Sequence, residues 1–337
     1  MKYPKFIKEN DLIGITAPSA GIVEEGTLLR IDNAKRNMEK LGFRCIETSN
    51  VRTDTQGRSS SGEERKQQFM KLWNDDEVSA IIMGAGGDFL IEMLEFLDFE
   101  EIKNSEPKWI QGYSDITTLS FVITTLADIA TIYCDNFKSY GMKNLYRNLI
   151  DAIDIMKGEE VIQHSFEKCV TEKIKDDPYY EYNLDTENLW KTIDNSKKVH
   201  FKGRAIGGCL DCILNLIGTK YDNINNYINK YKDDGIVWFL EVYEMNTAQL
   251  ICRLIQMKQS GFFKKCSGII FGRPMYLREE YEIKNDEAIK QALGDLNIPI
   301  IYDTDIGHVA PQMAIVNGSV LDVTFEDGKG IIKTYFE

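Results

Sequence analysis

The sequence predicts an α/β protein, with an N-terminal parallel-sheet α/β sandwich followed by a second, β-rich α/β domain. Three observations carry this. Over the first ~150 residues, short apolar runs alternate with amphipathic helical stretches. The runs are apolar at successive positions, as strands buried on both faces of a parallel sheet are. A chain of 337 residues is also long enough for about two domains.

Leu12-Ile13-Gly14-Ile15-Thr16 reads as the first strand and runs into Ala17-Pro18-Ser19. A helix is expected over 24–41, closed by Gly42, and a strand over 44–48. Ser61 and Glu64 stand at capping-box spacing and open the next helix. Ala80-Ile81-Ile82-Met83 is a buried strand that stops at Gly84-Ala85-Gly86-Gly87. A strand over 108–113 and a helix over 116–127 follow. The N-terminal domain is placed at 1–155. Residues 156–200 are polar and lack a sustained period, and are read as an inter-domain linker. In the second domain, 201–337, Ile236 to Leu240, Gly268 to Phe271 and Pro299 to Tyr302 are strand-like. Asn246-Thr247 caps a helix with Leu250, Ile251, Leu254 and Ile255 on one face. The end of the chain is a β-hairpin around Glu326-Asp327-Gly328-Lys329-Gly330.

Composition excludes more than it names. The formal charge is −13, which argues against a phosphate-backbone binder of nucleic acid and against a polybasic membrane anchor. Residues 1–10 contain no apolar signal-peptide core, and the apolar stretch 121–134 is short and contains Asp128. Seven cysteines form an odd, scattered set, with Cys45, Cys134, Cys252 and Cys266 among apolar neighbours, the pattern of reduced thiols in a cytoplasmic protein. No histidine pair has metal-ligand spacing, so zinc chemistry is not expected. Cys209-Leu210-Asp211-Cys212, on an expected helix, lacks a partner pair and thioredoxin-like neighbours, so neither a redox nor a metal role is assigned to it.

Chemistry concentrates in a few segments. In Gln111-Gly112-Tyr113-Ser114-Asp115-Ile116, a strand enters a sharp turn and a helix begins directly after it. That geometry lifts a nucleophilic Oγ off a sheet edge and brings the Asp115 amide near a developing oxyanion. An ordinary N-cap serine fits the same residues, and Ile116 stands where the Gly-x-Ser-x-Gly elbow has its second glycine. Gly84-Ala85-Gly86-Gly87-Asp88 is either a plain strand–helix turn or an anion-binding loop. His164, in an amphipathic helical stretch, and His200 read as solvated. His308 follows Gly307 in a loop just past a buried strand. Glu241 ends an apolar strand, where a carboxylate is well placed to orient an imidazole. A pairing with Arg204 or Arg253, or a role for Glu244 instead, fits as well.

Together these segments resemble the LD-carboxypeptidase family of serine peptidases. The matching blocks are Ile13 to Ser19, Gly86-Gly87-Asp88, Gly112-Tyr113-Ser114-Asp115-Ile116-Thr117, Gly203-Arg204-Ala205-Ile206-Gly207-Gly208 with Phe239-Leu240-Glu241, and Gly307-His308. They span essentially the whole chain in the family's order. The resemblance implies a class I glutamine amidotransferase-like N-terminal domain and a homodimer. It implies a triad of Ser114 as nucleophile, His308 as general base and then acid, and Glu241 as its orienter. The Gly87 and Asp115 amides would form the oxyanion hole, with no metal and no cofactor. With triad residues on both domains, the site is expected in the cleft between them.

The implied reaction is hydrolysis of an L,D-amide bond in muropeptides, releasing terminal D-Ala in peptidoglycan recycling. Gly86-Gly87-Asp88, where other members carry Gly-Gly-Tyr, is closer to the branch that includes the microcin C self-immunity peptidase, which cleaves peptidyl-nucleotides. By that analogy Gly86, Asp88, Trp190 and Arg204 are candidate substrate contacts, and Trp190 with Tyr179-Tyr180 a stacking platform, although packing of the linker explains these aromatics too. After Ile132-Tyr133 the family usually continues Gly-Pro, whereas this chain has Cys134-Asp135-Asn136, which bears on the pocket wall rather than on the triad. A catalytically inert binding protein is the reading from another class.

Overall fold

The computed structural model describes residues 1–337, which form two compact units. The first comprises Met1–Val161 and Glu172–Asn183, the second Ile162–Thr171 and Leu184–Glu337.

The first unit is built on five parallel strands: β1 (Leu12–Thr16), β2 (Arg44–Glu47), β3 (Val78–Met83), β4 (Trp109–Gln111) and β5 (Thr131–Tyr133). Their order is β5-β4-β3-β1-β2. Every residue of β1 is buried, which the continuous apolar run requires. Removing Ile13 and Ile15 from water contributes about 1.5–3 kcal/mol each. Helix Gly62–Trp73 begins with the capping box of Ser61 and Glu64. After β4, a tight turn at Ser114–Ile116 leads into helix Thr117–Val122, whose last turn, Ile123–Ala127, widens to π geometry and stops at left-handed Asp128. Because all strands point the same way, the loops after β1, β3, β4 and β5 gather at the carboxyl edge of the sheet. That edge is where open α/β sheets bind ligands.

The second unit holds an eight-stranded mixed sheet and short satellite strands. In chain order these are β6 (Ile162–His164), β7 (Lys168–Cys169), β8 (Thr186–Glu187), β9 (Lys191–Thr192), β10 (Lys198–Cys209), β11 (Ile236–Glu241), β12 (Glu244–Asn246), β13 (Cys266–Gly272), β14 (Tyr276–Arg278), β15 (Ile300–Thr304), β16 (Ile315–Asn317), β17 (Val320–Glu326) and β18 (Lys329–Tyr335). The main sheet runs β6-β18-β17-β10-β11-β13-β15-β9. Its centre, β10-β11-β13-β15, is parallel, and antiparallel strands flank it. β17 and β18 are the expected hairpin. Helix Thr247–Gln259 carries a capping box of Asn246 and Gln249 and buries Leu250, Leu254 and Met257.

Three local readings are corrected. His164 lies on strand β6 rather than a helix, because left-handed Gly158 closes the preceding helix, Arg147–Lys157, and β18 pairs with the chain beyond it. Cys252 is exposed, on the side of its helix opposite Leu250 and Leu254. Cys209 ends β10, so only Cys212 of the C-x-x-C lies in the short helix Leu210–Leu214. No disulfide links the seven cysteines, and no helix is long and apolar enough to cross a membrane.

Candidate active site

Ser114 sits at the carboxyl end of β4 with φ 65°, a left-handed conformation that a non-glycine residue enters only at a cost of about 1–3 kcal/mol. The neighbouring loops hold it there. The Asp115 carboxylate accepts from Ser19 Oγ at 2.5 Å, from the Leu90 amide at 2.9 Å and from Thr118 Oγ1 at 3.2 Å. Burial pushes the Asp115 carboxyl up, and these donors act against it. Across from Ser114 runs the Gly86-Gly87 turn, so close that a Cβ on Gly86 would stand 3.0 Å from Ser114 Cβ and 3.2 Å from its Oγ. Gly87 has φ 152°, and a Cβ there would meet Ser19 Oγ at 2.3 Å. Glycine is therefore required on both counts, and this backbone approaches Ser114 as an oxyanion loop would. Asp88 next to it is exposed.

Asn136, in the segment expected to bear on the pocket wall, completes this edge. Its Oδ1 accepts from the Tyr113 amide at 3.2 Å, and its side chain packs on Gly112. The preceding residue is anchored in turn: the Asp135 carboxylate accepts from Ser139 Oγ at 2.7 Å and Asn148 Nδ2 at 2.9 Å, and Gln111 Nε2 donates to its carbonyl. The segment that departs from Gly-Pro is thus a brace for the Ser114 turn. Its signals in the sequence are its position after an apolar strand and its departure from the family's Gly-Pro.

In the second unit, His308 Nδ1 lies 2.9 Å from Glu241 Oε2. Glu241 is fully buried and the His308 side chain only 9% exposed. A carboxylate can only accept, so Nδ1 carries the proton and Nε2 is the basic nitrogen. Of the alternative partners and carboxylates, Arg204 bonds Asp234, Arg253 donates to Gln256 Oε1 at 3.1 Å, and Glu244 pairs with Arg278 at 3.2 Å. Gly307, with φ 99°, packs its backbone directly on the Glu241 side chain. The Tyr243 ring, which the sequence did not flag, lies 4.5 Å from the imidazole and meets the half-exposed Tyr276 edge to face. Tyr276 and Val309, the residue after His308, border a pocket of about 680 Å³ together with Cys169, Asn188, Arg273 and Met275.

Two expected substrate contacts are structural instead. Trp190 is 1% exposed, its ring covers Gly330, and its Nε1 donates to Asp305 Oδ2 at 2.8 Å, so it has no open face on which a ring can stack. Arg204 is 5% exposed, and its guanidinium is committed to Asp234 and to the carbonyls of Gly318 and Glu337. In the first unit, the Tyr180 ring lies under the Arg30 guanidinium at 4.0 Å. No group of three or more His, Cys, Asp or Glu side chains is arranged to hold a metal ion.

Comparison with known proteins bears on these two constellations. Residues 13–134 match the LD-carboxypeptidase N-terminal domain, and residues 202–323 match the LD-carboxypeptidase C-terminal domain. The chain belongs to the LD-carboxypeptidase family. Within this family it is 25% identical to the microcin C7 self-immunity protein of Escherichia coli, over 86% of this chain and 84% of that protein. It is 20% identical to the "Probable murein peptide carboxypeptidase" of Bacillus subtilis, over 94% of this chain and 89% of that one. The fold is similar to the crystal structure of a protein from Bacillus anthracis that is itself described as like the microcin C7 self-immunity protein. That likeness has a TM-score of 0.83 at 23% identity and covers all of both chains. Members of the LD-carboxypeptidase family thus carry both carboxypeptidase and microcin-immunity names, and this chain is related to both.

Proposed function

We propose that this protein is a serine-type LD-carboxypeptidase that hydrolyses an L,D-amide bond of muropeptides and releases the terminal D-Ala. The observation that supports it most is the buried hydrogen bond between His308 Nδ1 and Glu241 Oε2. It fixes the ring tautomer in which Nε2 takes a proton, as the acid of a Ser–His–acid set does. Ser114 Oγ attacks the scissile carbonyl while Nε2 accepts its proton. The oxyanion forms against the amides of Gly87 and Asp115. His308 then returns the proton to the departing amine, and water activated through the same nitrogen hydrolyses the acyl-enzyme. The mechanism requires Ser114 Oγ and His308 Nε2 to come within hydrogen-bond reach in the substrate complex.

Incubation with a muropeptide ending in D-Ala should release free D-Ala, and Ser114→Ala should abolish the release. A fluorophosphonate probe should label Ser114 in the wild-type chain. Absence of both labelling and release across a muropeptide panel refutes the hydrolase and favours an inert binding protein.

The relation to the microcin C7 self-immunity protein favours a second reading, with the same triad acting on a peptidyl-nucleotide antibiotic. Burial of Trp190 means that any base stacking in that case uses another side chain. Protection of cells against microcin C-like compounds, lost in Ser114→Ala, supports this reading, and release of D-Ala without protection refutes it.

A further inference from the structure

Asp305 and Arg273 form an ion pair inside the second unit, Arg273 Nη1 to Asp305 Oδ1 at 2.6 Å, with 9% and 0% of their side chains exposed. The pair has no part in the triad, and burying two charges is costly unless their remaining hydrogen-bonding capacity is used. Most of it is used, much of it on one short loop: Arg273 Nε has no partner, and Nη1 also donates to Asn188 Oδ1 at 2.9 Å. Arg273 Nη2 donates to the carbonyls of Val309, at 3.0 Å, and Pro311, at 3.1 Å. The carbonyl between them, of Ala310, accepts from the Val170 amide at 2.8 Å. Three consecutive carbonyls directly after His308 are thus all taken.

On the other side of His308, the Asp305 carboxylate accepts from Asn188 Nδ2 at 2.7 Å, Trp190 Nε1 at 2.8 Å and the Phe166 amide at 3.1 Å. Its backbone carbonyl accepts from the Met313 amide at 2.7 Å. Burial pushes the Asp305 carboxyl up, and Arg273, Trp190 and Phe166 act against it. His308 is therefore carried on a loop whose two limbs are tied to a single salt-bridged centre.

We infer that Arg273 and Asp305 are positioning residues: the pair clamps the loop 305–311 and thereby holds the His308 imidazole in line with Glu241. The catalytic part of this inference rests on His308 being the general base. The clamp itself does not. The imidazole gains its orientation from the 2.9 Å contact with Glu241, and a ring shifted by even 1 Å loses rate by as much as about 100-fold. Asn188 and Trp190, from the segment between β8 and β9, serve the same centre, which gives the buried indole its task.

The test reads the ring directly. The chain has only three histidines, so a histidine-labelled sample gives few ring signals in NMR, and His308→Asn assigns one of them. The exposed His164 and His200 act as internal controls. In Arg273→Met, the His308 Nδ1–H signal should shift or exchange away while the control signals stay in place. On an active substrate kcat should fall about 10–100-fold with KM within about threefold, in the range seen when partners that orient a catalytic ligand are removed. Arg273→Lys, which keeps the charge but not the two-carbonyl fork, should fall between wild type and Arg273→Met. In a Glu241→Gln background the effect of Arg273→Met should shrink, because the orientation it protects is already lost.

An unmoved His308 signal and unchanged kcat in a folded Arg273→Met variant overturn the inference. If that variant does not fold, the same two readings in Arg273→Lys decide it. A wild-type chain that hydrolyses nothing and takes no fluorophosphonate probe refutes the proposed function, and the His308 signal then still decides whether the clamp exists.

Discussion

Replacing Gly307 by alanine tests the geometry beneath the His308–Glu241 pair. At φ 99°, a side chain at this position costs about 1–2 kcal/mol of backbone strain. The added Cβ would also stand 2.6 Å from Glu241 Cγ, 2.6 Å from Oε2 and 2.7 Å from Cβ. Glu241 is fully buried and backed by Gly272, where a Cβ would lie 3.0 Å from Glu241 Cβ, so it has little room to retreat. Overpacking of this kind costs about 1–3 kcal/mol. Subtracting the roughly 0.4–1 kcal/mol by which alanine narrows the unfolded ensemble, the net loss should be about 2–4 kcal/mol. Urea unfolding measures it, and hydrolysis should fall at least about 100-fold as the carboxylate is pushed off the imidazole. Gly294→Ala is the control. There φ is −60° and the new Cβ meets only Lys290 Cγ, at 3.6 Å, so stability should hold or rise slightly. A Gly307→Ala chain within about 0.5 kcal/mol of wild type, with intact activity, refutes the packing argument.

Three further outcomes follow from the same structure. Ser114→Gly should lose hydrolysis yet gain about 0.5–1 kcal/mol of stability, because glycine accepts the left-handed turn; a lower melting temperature sinks the strain reading. Trp190→Phe should cost about 1–3 kcal/mol by leaving the buried Asp305 carboxylate one donor short, while KM for nucleotide-bearing and plain peptides changes alike; a selective loss for nucleotides restores the stacking platform. At Glu47, burial pushes the carboxyl up, but Arg52 and Lys35 outweigh it and hold it below the ordinary value of 4.5. A depressed carboxylate stabilises above its unfolded pKa and loses that contribution as pH falls through the folded one. The stability gap between wild type and Glu47→Gln should therefore be full near neutral pH and close below about pH 4.5, and a gap that is constant across acid titration contradicts the pairing.

Much of the fold was legible because its causes are local. β1 coincides with the predicted run Leu12 to Thr16, and the capping box of Ser61 and Glu64 with residues three apart. His164 lies outside any helix because left-handed Gly158 ends the preceding one, and only pairing with β18 shows that the chain has turned extended. Tyr243 carries no mark in the sequence, and Asn136 only that of a departure from the family's Gly-Pro, for a related reason. Each acts on a group from another segment or across a strand end, which its own neighbourhood does not encode.

By itself the sequence determined a two-part α/β chain, a nucleophile-like turn at Ser114 and a short set of candidate bases and acids. These follow from periodicity, turn chemistry and motif order, which operate over a few residues. Only the tertiary structure decided that Glu241 meets His308 across 67 positions, that Arg204 belongs to Asp234, and that Trp190 is spent on Asp305 across 115. Those choices depend on which buried donor finds which buried acceptor once the strands are in register. That pairing is set by desolvation across the whole unit, and no local pattern encodes it.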